Sequence, residues 1–193
     1  MNDLILKQIR LSERVVLEDR FKNIENVGGV SQVFSKNKVV SCFVSCSYPE
    51  IGFIEKSCSE IRTDFPYISG LLAYREGPSI ILAYKNLKKK PDLILIKGSG
   101  ICHPRFFGMA SHIGLILDKP SIGITERLLC GEIKEKKIIY EGRHVGWKLK
   151  NIYISPGHKV SLETSLKIVK NCIKKHKLPE PLYLAYKYAN KKS

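Results

Sequence analysis

The chain has few acidic side chains, no long apolar segment and no closely spaced pair of cysteines. Its 193 residues carry 33 Lys and Arg against 18 Asp and Glu, a formal charge of +15. No stretch is long and apolar enough to span a bilayer, and the N-terminus lacks the apolar core of a signal peptide. The sequence therefore predicts a cytoplasmic protein that does not enter a membrane.

The six cysteines are scattered and form no CxxC pair. This arrangement excludes the usual zinc-binding spacings and does not resemble the disulfide framework of a small secreted domain. Because Cys42 and Cys46 have even spacing, they would share one face of a strand. We expect buried thiols in a reducing cytosol.

A cationic excess of this size indicates an anionic partner. Nucleic acid is the first candidate and a membrane surface the second, while a generally lysine-rich composition would explain the charge without any partner. Charge alone does not decide among these three interpretations.

Hydrophobic patterning predicts a mixed α/β sheet. A chain of this length is most simply one domain, residues 1–193, and we expect a monomer. A surface helix over 4–22 precedes three β-rich segments that short turns join into an antiparallel meander, and helices and strands then alternate. The predicted strands are 27–34, 38–47, 51–59, 93–96, 121–125 and 152–155, with turns at 35–37 and 48–50. The predicted later helices are 71–87, interrupted at Gly77 and Pro78, then 104–117, and a final helix that Ser161 caps.

The apolar run 93–96 is typical of a central strand covered on both faces. It leads into a glycine-rich loop, residues 97–105, and ligand sites in open α/β sheets form beyond the carboxyl ends of such strands. A helix that begins near Pro104 would direct its free N–H groups to the same place. Taken alone, this pattern would also fit a purely structural turn.

Longer motifs are more specific. Residues 65–78, FPYISGLLAYREGP, resemble the segment PYIPGLLAFREGP of endonuclease V, and residues 98–112, GSGICHPRFFGMASH, resemble its segment GHGIAHPRRFGLASH. Residues 120–124, 155–161 and 177–182 match later blocks of the family in order. The chain thus resembles the endonuclease V family over nearly its whole length, and the resemblance implies a ribonuclease-H-like fold.

The resemblance implies hydrolysis of a phosphodiester near inosine in DNA or RNA, with Mg²⁺ held by carboxylates. It assigns Glu76, His103 and His158 to catalysis, with Glu76 also a metal ligand. It assigns substrate binding to six further residues: Tyr67, Gly70, Arg75, Gly98, Gly100 and Arg105. Tyr67 matches a wedge tyrosine of the family, which would stack on a base. The alternative interpretation is that the Tyr67 side chain is half-buried in the protein core.

The sequence departs from the family at the metal. The aspartate of the family's GVDVSY strand falls on Ser31, and the aspartate before the glycine-rich loop falls on Lys97. A family lysine falls on Glu126, which offers a substitute carboxylate. An ammonium at Lys97 repels a cation and would pair with Glu76. We therefore expect Mg²⁺ binding to be weak or absent.

Three hypotheses remain open at the level of the sequence. The first is a protein that binds inosine-containing nucleic acid and has weakened or lost cleavage. The second is an active Mg²⁺-dependent endonuclease V of DNA repair with a rearranged site. The third is a scaffold that retains only the fold. The large positive charge and the retained glycine-rich loop argue against this third hypothesis.

Overall fold

One nine-stranded sheet organises the chain in the computed structural model, which describes residues 1–35 and 37–192. Its strand order is β3-β2-β1-β4-β5-β9-β8-β7-β6. The strands are β1 (Asn26–Ser35), β2 (Lys38–Ser47), β3 (Phe53–Arg62), β4 (Leu93–Lys97), β5 (Ser121–Thr125), β6 (Glu132–Lys134), β7 (Lys137–Tyr140), β8 (Arg143–Leu149) and β9 (Ile152–His158). The helices are α1 (Asn2–Ser12), α2 (Leu72–Lys85), α3 (Met109–Leu117), α4 (Leu162–Cys172) and α5 (Glu180–Asn190).

Strands β1, β4 and β5 are parallel and form the centre of the sheet. Alternation along β4 divides its side chains between two cores: Ile94 and Ile96 pack with α2 and α3, whereas Leu93 and Leu95 pack with α4 and α5. Both faces of the central strands are therefore covered, as the apolar run predicted. The antiparallel meander β1-β2-β3 and the mixed α/β sheet are confirmed.

Several predicted boundaries are wrong. Helix α2 continues through Pro78, because residues on both sides of the proline pack on one core, which outweighs a single lost backbone hydrogen bond. The first helix ends at Ser12. Beyond it, the Val16 carbonyl accepts a backbone hydrogen bond from the Lys159 N–H, so the segment after the helix is held by a distant part of the chain. Of the turn predicted at 35–37, Lys36 lies outside the described residues.

The helix that Ser161 caps is not the last one. The Ser161 hydroxyl accepts from the Thr164 N–H as predicted, but α5 follows and packs closely on β1 and β2. Strands β6 to β8 were also not predicted. The turn between β6 and β7 places Glu135 and Lys136 at positive φ, where a sequence signal would normally be Asn or Gly.

One pair of cysteines contradicts the expectation of free thiols. Cys42 of β2 lies opposite Cys58 of β3, with 4.1 Å between their Cα atoms, and the two form a disulfide. Cys46, which has even spacing to Cys42, is buried and free, as are Cys102 and Cys172. Spacing along one strand says nothing about the partner across the sheet.

Within residues 1–35 and 37–192, no helix has the length and hydropathy to cross a bilayer.

Candidate functional site

A cleft of about 470 Å³ opens where β4 and β5 end. It lies at the carboxyl ends of parallel strands, the expected place for a ligand site. It brings together seven of the residues singled out from the sequence: Tyr67, Gly70, Glu76, Lys97, Gly98, His103 and Glu126. It does not include Ser31, Arg75, Gly100, Arg105 or His158 in its lining, and it adds Gln8 and Gln32, which the motifs did not indicate.

Glu76 is the half-buried carboxylate on α2 that faces this cleft. Its Oε2 accepts from the Gln32 side-chain amide at 3.0 Å, and the same amide donates to the Lys97 carbonyl at 2.8 Å. Burial raises the pKa of Glu76, although the bond from Gln32 and the charges of Arg75 and Lys97 oppose that shift. Glu76 is thus held by a neutral donor and is not paired with a cation.

The expected ion pair between Lys97 and Glu76 is absent from the described part of the chain. Lys97 follows Leu93 and Leu95 on the α5 face of β4, whereas Glu76 lies on α2 across the sheet. The Lys97 ammonium instead lies 4.3 Å from the ring centroid of Tyr186 on α5. The side-chain alternation of the strand therefore separates the two charges.

Ser31 lies beside Lys97. The parallel register pairs Val30 with Ile96, so the next residues of β1 and β4 are Ser31 and Lys97. Ser31 is fully buried, and its hydroxyl has no hydrogen-bond partner in the described chain. The two positions where the resemblance expects aspartates are therefore neighbours in space, but neither holds an acid.

The cleft offers few oxygen ligands for a Mg²⁺ ion. Glu76 and the exposed Glu126 are the carboxylates among the residues that line the cleft, and an ammonium lies at its edge. Hard divalent cations select clusters of oxygen ligands. Among residues 1–35 and 37–192, no group of three or more His, Cys, Asp or Glu side chains is placed to hold a metal.

At the opposite end of the cleft, three donors converge on one carbonyl. The Gly70 carbonyl accepts from Gln8 Nε2 at 2.9 Å, from His103 Nε2 at 3.1 Å and from Arg105 Nη2 at 2.9 Å. Gln8 is almost fully buried and also accepts from Arg105 Nε at 2.7 Å and donates to the Phe107 carbonyl. Helix α1 and the glycine-rich loop thus anchor the segment that carries Tyr67.

Both ring nitrogens of His103 are engaged. Because the Gly70 carbonyl can only accept, Nε2 carries the proton, and Nδ1 accepts from the Arg105 N–H at 3.2 Å. Burial, and next the Arg105 charge, lower the pKa of His103 to about 4. His103 is therefore a neutral anchor with no free nitrogen, which does not suit the catalytic role that the resemblance assigned to it.

Tyr67 is 69% exposed, so its alternative placement in the core is wrong. The Arg75 guanidinium packs on two aromatic rings. Its central carbon lies 5.7 Å from the centroid of the Tyr67 ring and 3.5 Å from the centroid of the Phe34 ring. Arg75 is itself buried. An exposed aromatic ring backed by a cation and a second ring is a platform on which a planar base could stack.

The glycine-rich loop is packed against the protein itself. A Cβ on Gly100 would lie 2.0 Å from the Pro156 carbonyl oxygen, and one on Gly98 would meet the Met109 side chain. Helix α3 begins at Met109, not at Pro104, and its Ala110 N–H donates to the Ser99 carbonyl. The glycines permit close backbone packing, and the helix terminus is partly occupied by the loop.

His158 lies away from the cleft. Its partner in the sheet is Ser121, at the start of β5, whereas the cleft lies at the end of that strand. Its Nδ1 accepts from the Val16 N–H at 3.3 Å, and its Nε2 lies 3.9 Å from Asp118. Burial lowers the pKa of His158. The fold does not bring this residue to Glu76.

His112 packs inside α3, edge-on to Tyr74 and tilted against Phe107. It is buried, which is typical of a structural residue.

Known proteins resemble this chain over nearly its whole length, in sequence and in fold. A protein-family model described as endonuclease V matches residues 9–187. Endonuclease V of Dictyoglomus thermophilum is 40% identical over 198 residues, which cover 95% of this chain and 87% of that protein.

Two solved structures show the same architecture. Endonuclease V from Streptomyces avermitilis superimposes with a TM-score of 0.91 at 25% identity, covering 99% of this chain and 92% of the other. Ciona intestinalis endonuclease V, in complex with a 24-mer DNA containing an inosine followed by a ribo-adenosine, gives 0.87 at 28% identity, covering 99% and 96%. The ribonuclease-H-like fold expected from the sequence is confirmed.

Proposed function

The chain belongs to the endonuclease V family, and we propose that it binds nucleic acid containing deaminated bases such as inosine, with phosphodiester cleavage weakened or lost. The single observation that carries this proposal is the contrast inside the cleft. An exposed, supported aromatic ring is retained at one end, and the acids that would hold a metal are replaced at the other.

The binding half of the proposal is supported by Tyr67 and its anchor. The ring projects beside a cleft of about 470 Å³ that has room for an extruded base. A relative with the same fold has been crystallised with inosine-containing DNA. The net charge of +15 would add attraction to the phosphate backbone.

The catalytic half is supported by the donor set. Glu76 is bound to the Gln32 amide, Ser31 is a buried hydroxyl, and Lys97 places an ammonium beside it. A bound Mg²⁺ would supply an activated water and a stabilised leaving oxygen. With these residues we assign no such step to the chain.

An active endonuclease with a rearranged site is the second candidate. One observation favours it: Glu126 lines the same cleft as Glu76. Two carboxylates with phosphate oxygens and water can be enough for Mg²⁺. In this case the Lys97 ammonium would act on the substrate phosphate.

One experiment separates the two candidates. The protein is incubated with inosine-containing and matched adenine-containing DNA and RNA oligonucleotides, with Mg²⁺, with Mn²⁺ and with EDTA. Binding and cleavage are scored separately, and sedimentation of the complex checks the expected monomer. The proposal expects binding that prefers inosine and is unchanged by EDTA, with little cleavage. Rapid metal-dependent nicking would favour the second candidate, and equal affinity for both oligonucleotides would contradict base recognition.

A further inference from the structure

A second groove adjoins the cleft on the α5 side of the sheet. It has a volume of about 410 Å³ and shares Lys97, Glu126 and Leu178 with the cleft. Its other side is formed by the segment between α4 and α5, with Lys175 and Lys177, and by Tyr186 of α5. The two depressions are therefore one continuous path along the molecular surface.

A local contact fixes the segment between α4 and α5. The His176 ring stacks on Tyr183 with centroids 3.5 Å apart, and its Nδ1 lies 2.7 Å from the Glu180 carboxylate. Lys175 and Lys177 flank this anchored histidine, and both are exposed. No ion pair in the described chain includes either lysine.

The charges of this groove are unbalanced. Lys97, Lys175 and Lys177 supply three ammonium groups, and Glu180 is already engaged by His176. Among the described residues that line the groove, Glu126 is the carboxylate, and Glu180 lies outside the lining. Lys97 lies over the Tyr186 ring, which positions its ammonium without neutralising it. The groove is thus complementary to an anion with several charges along its length.

We propose that this groove binds the phosphodiester backbone of the nucleic-acid strand as it leaves the cleft, through Lys97, Lys175 and Lys177. The inference rests on the proposed function and extends it, because it names the path of the strand beyond the target base. A linear polyanion is the ligand that can occupy both depressions at once. Lys97, at their junction, would contact a phosphate at the position where the family resemblance expects an acid.

The test uses oligonucleotides of different length. A short inosine oligonucleotide that fills the cleft is compared with ones extended only on the 5′ side or only on the 3′ side. Extension on one side should raise the affinity of the wild-type chain, and the double variant Lys175→Ala with Lys177→Ala should lose that gain. The variant should keep its affinity for the short oligonucleotide and for the other extension.

Salt dependence provides a second readout. Removal of two phosphate contacts should make the slope of log K against log salt shallower by about 1.4 for a single strand. Lys88→Ala with Lys89→Ala is a matched control, because these two exposed lysines precede β4, at the opposite end of that strand from Lys97. The control should change neither the gain on extension nor, by more than a small amount, the salt slope.

The outcomes separate this inference from the function on which it rests. If the wild-type chain binds no inosine oligonucleotide, both are overturned. If it binds but Lys175→Ala with Lys177→Ala keeps the full gain on both extensions, only the groove is overturned. The same holds if the double variant and the Lys88, Lys89 control behave alike.

Discussion

The two ends of the cleft are built in different ways. At the tyrosine end, α1, the glycine-rich loop and the Tyr67 segment are tied together at the Gly70 carbonyl, which accepts three hydrogen bonds. At the lysine end, Ser31 has an unpartnered hydroxyl and Lys97 has no ion pair in the described chain. The tyrosine end is part of the packed structure, whereas the lysine end presents groups that the fold itself does not use.

This difference shows which changes the fold tolerates. Loss of a residue in the Gly70 network would leave buried polar groups unpaired, which is costly. Aspartates at positions 31 and 97 would contribute mainly through a metal, so their replacement leaves the sheet and its cores intact. The family fold therefore does not depend on acids at positions 31 and 97, and Tyr67 keeps its exposed place without them.

The largest expected effect comes from restoring acids at the lysine end. Ser31→Asp with Lys97→Asp places two carboxylates on neighbouring strands, at the positions where the family resemblance expects metal ligands, and removes an ammonium that lines the same cleft as Glu76. We expect metal-dependent nicking near inosine to rise on the order of 10²-fold or more, as measured by single-turnover cleavage with Mg²⁺. Each single change should do much less, because the ligands act as one unit.

Two further results bear on that prediction. The triple variant with Glu126→Lys tests whether the lysine of the family is also needed for the reaction. A buried aspartate at position 31 is destabilising without a metal, so stability is measured with and without Mg²⁺. If the wild-type chain already cleaves as fast as the triple variant, Ser31 and Lys97 do not mark a lost metal site.

Acid should weaken the tyrosine end through His103. Its pKa is about 4 in the folded chain against about 6.5 when unfolded, so the unfolded state takes up the proton first. The stability contribution is complete above about pH 6.5 and is lost as the pH falls towards 4, on the order of 3 kcal/mol. Urea unfolding between pH 7.5 and 4.5 measures this loss.

The matched variant is His103→Gln, whose amide can still donate to the Gly70 carbonyl but does not titrate. Its stability should depend less steeply on pH over the same interval. His112 has a similarly lowered pKa of about 4 and continues to contribute in both proteins. An equal loss in wild type and variant would mean that His103 is not the buried neutral group described here.

Gln8 tests the same anchor from the other side. Gln8→Ala removes the bonds to the Gly70 and Phe107 carbonyls and leaves Arg105 Nε without its partner. We expect a loss of about 1–3 kcal/mol in the free energy of unfolding. Gln8→Glu keeps the acceptor for Arg105 but loses both donors. If Gln8→Ala were as stable as wild type, the anchor would not stabilise the fold.

Local pattern was enough to predict much of the fold. The apolar run 93–96 indicated a doubly covered strand, and β-rich segments joined by short turns indicated the meander. The motif at 65–78 also pointed to Tyr67. Signals of this kind depend on neighbouring residues, which a sequence shows directly.

The contacts of the site could not be predicted in the same way. The motif comparison drew attention to position 31, where the family has an aspartate. In the fold, the next side chain of the strand, Gln32, lies on the face that meets α2 and donates to Glu76. The motif therefore did not indicate Gln32. The Gly70 network joins a backbone carbonyl to residues 62 and 33 positions away. Such acceptors have no sequence signature, and only the assembled fold places them.

The smallest expected effect is the most specific to base recognition. Tyr67→Ala removes a ring that is 69% exposed, so the free energy of unfolding should change by no more than about 0.5 kcal/mol. Stacking on an extruded base contributes about 1–3 kcal/mol. Because a mispaired inosine is extruded at lower cost than a paired adenine, we expect the preference for inosine over adenine to fall on the order of tenfold. Non-specific affinity and its salt slope should stay nearly unchanged, because backbone contacts carry no base information.

Tyr67→Phe keeps the ring and its contact with Arg75 and should keep the preference, which separates stacking from any bond made by the hydroxyl. Competition binding with matched inosine and adenine oligonucleotides measures the ratio directly. If Tyr67→Ala retained the wild-type ratio, the tyrosine end would be a well-anchored part of the fold without a role in recognition, and the contrast between the two ends would lose its functional meaning.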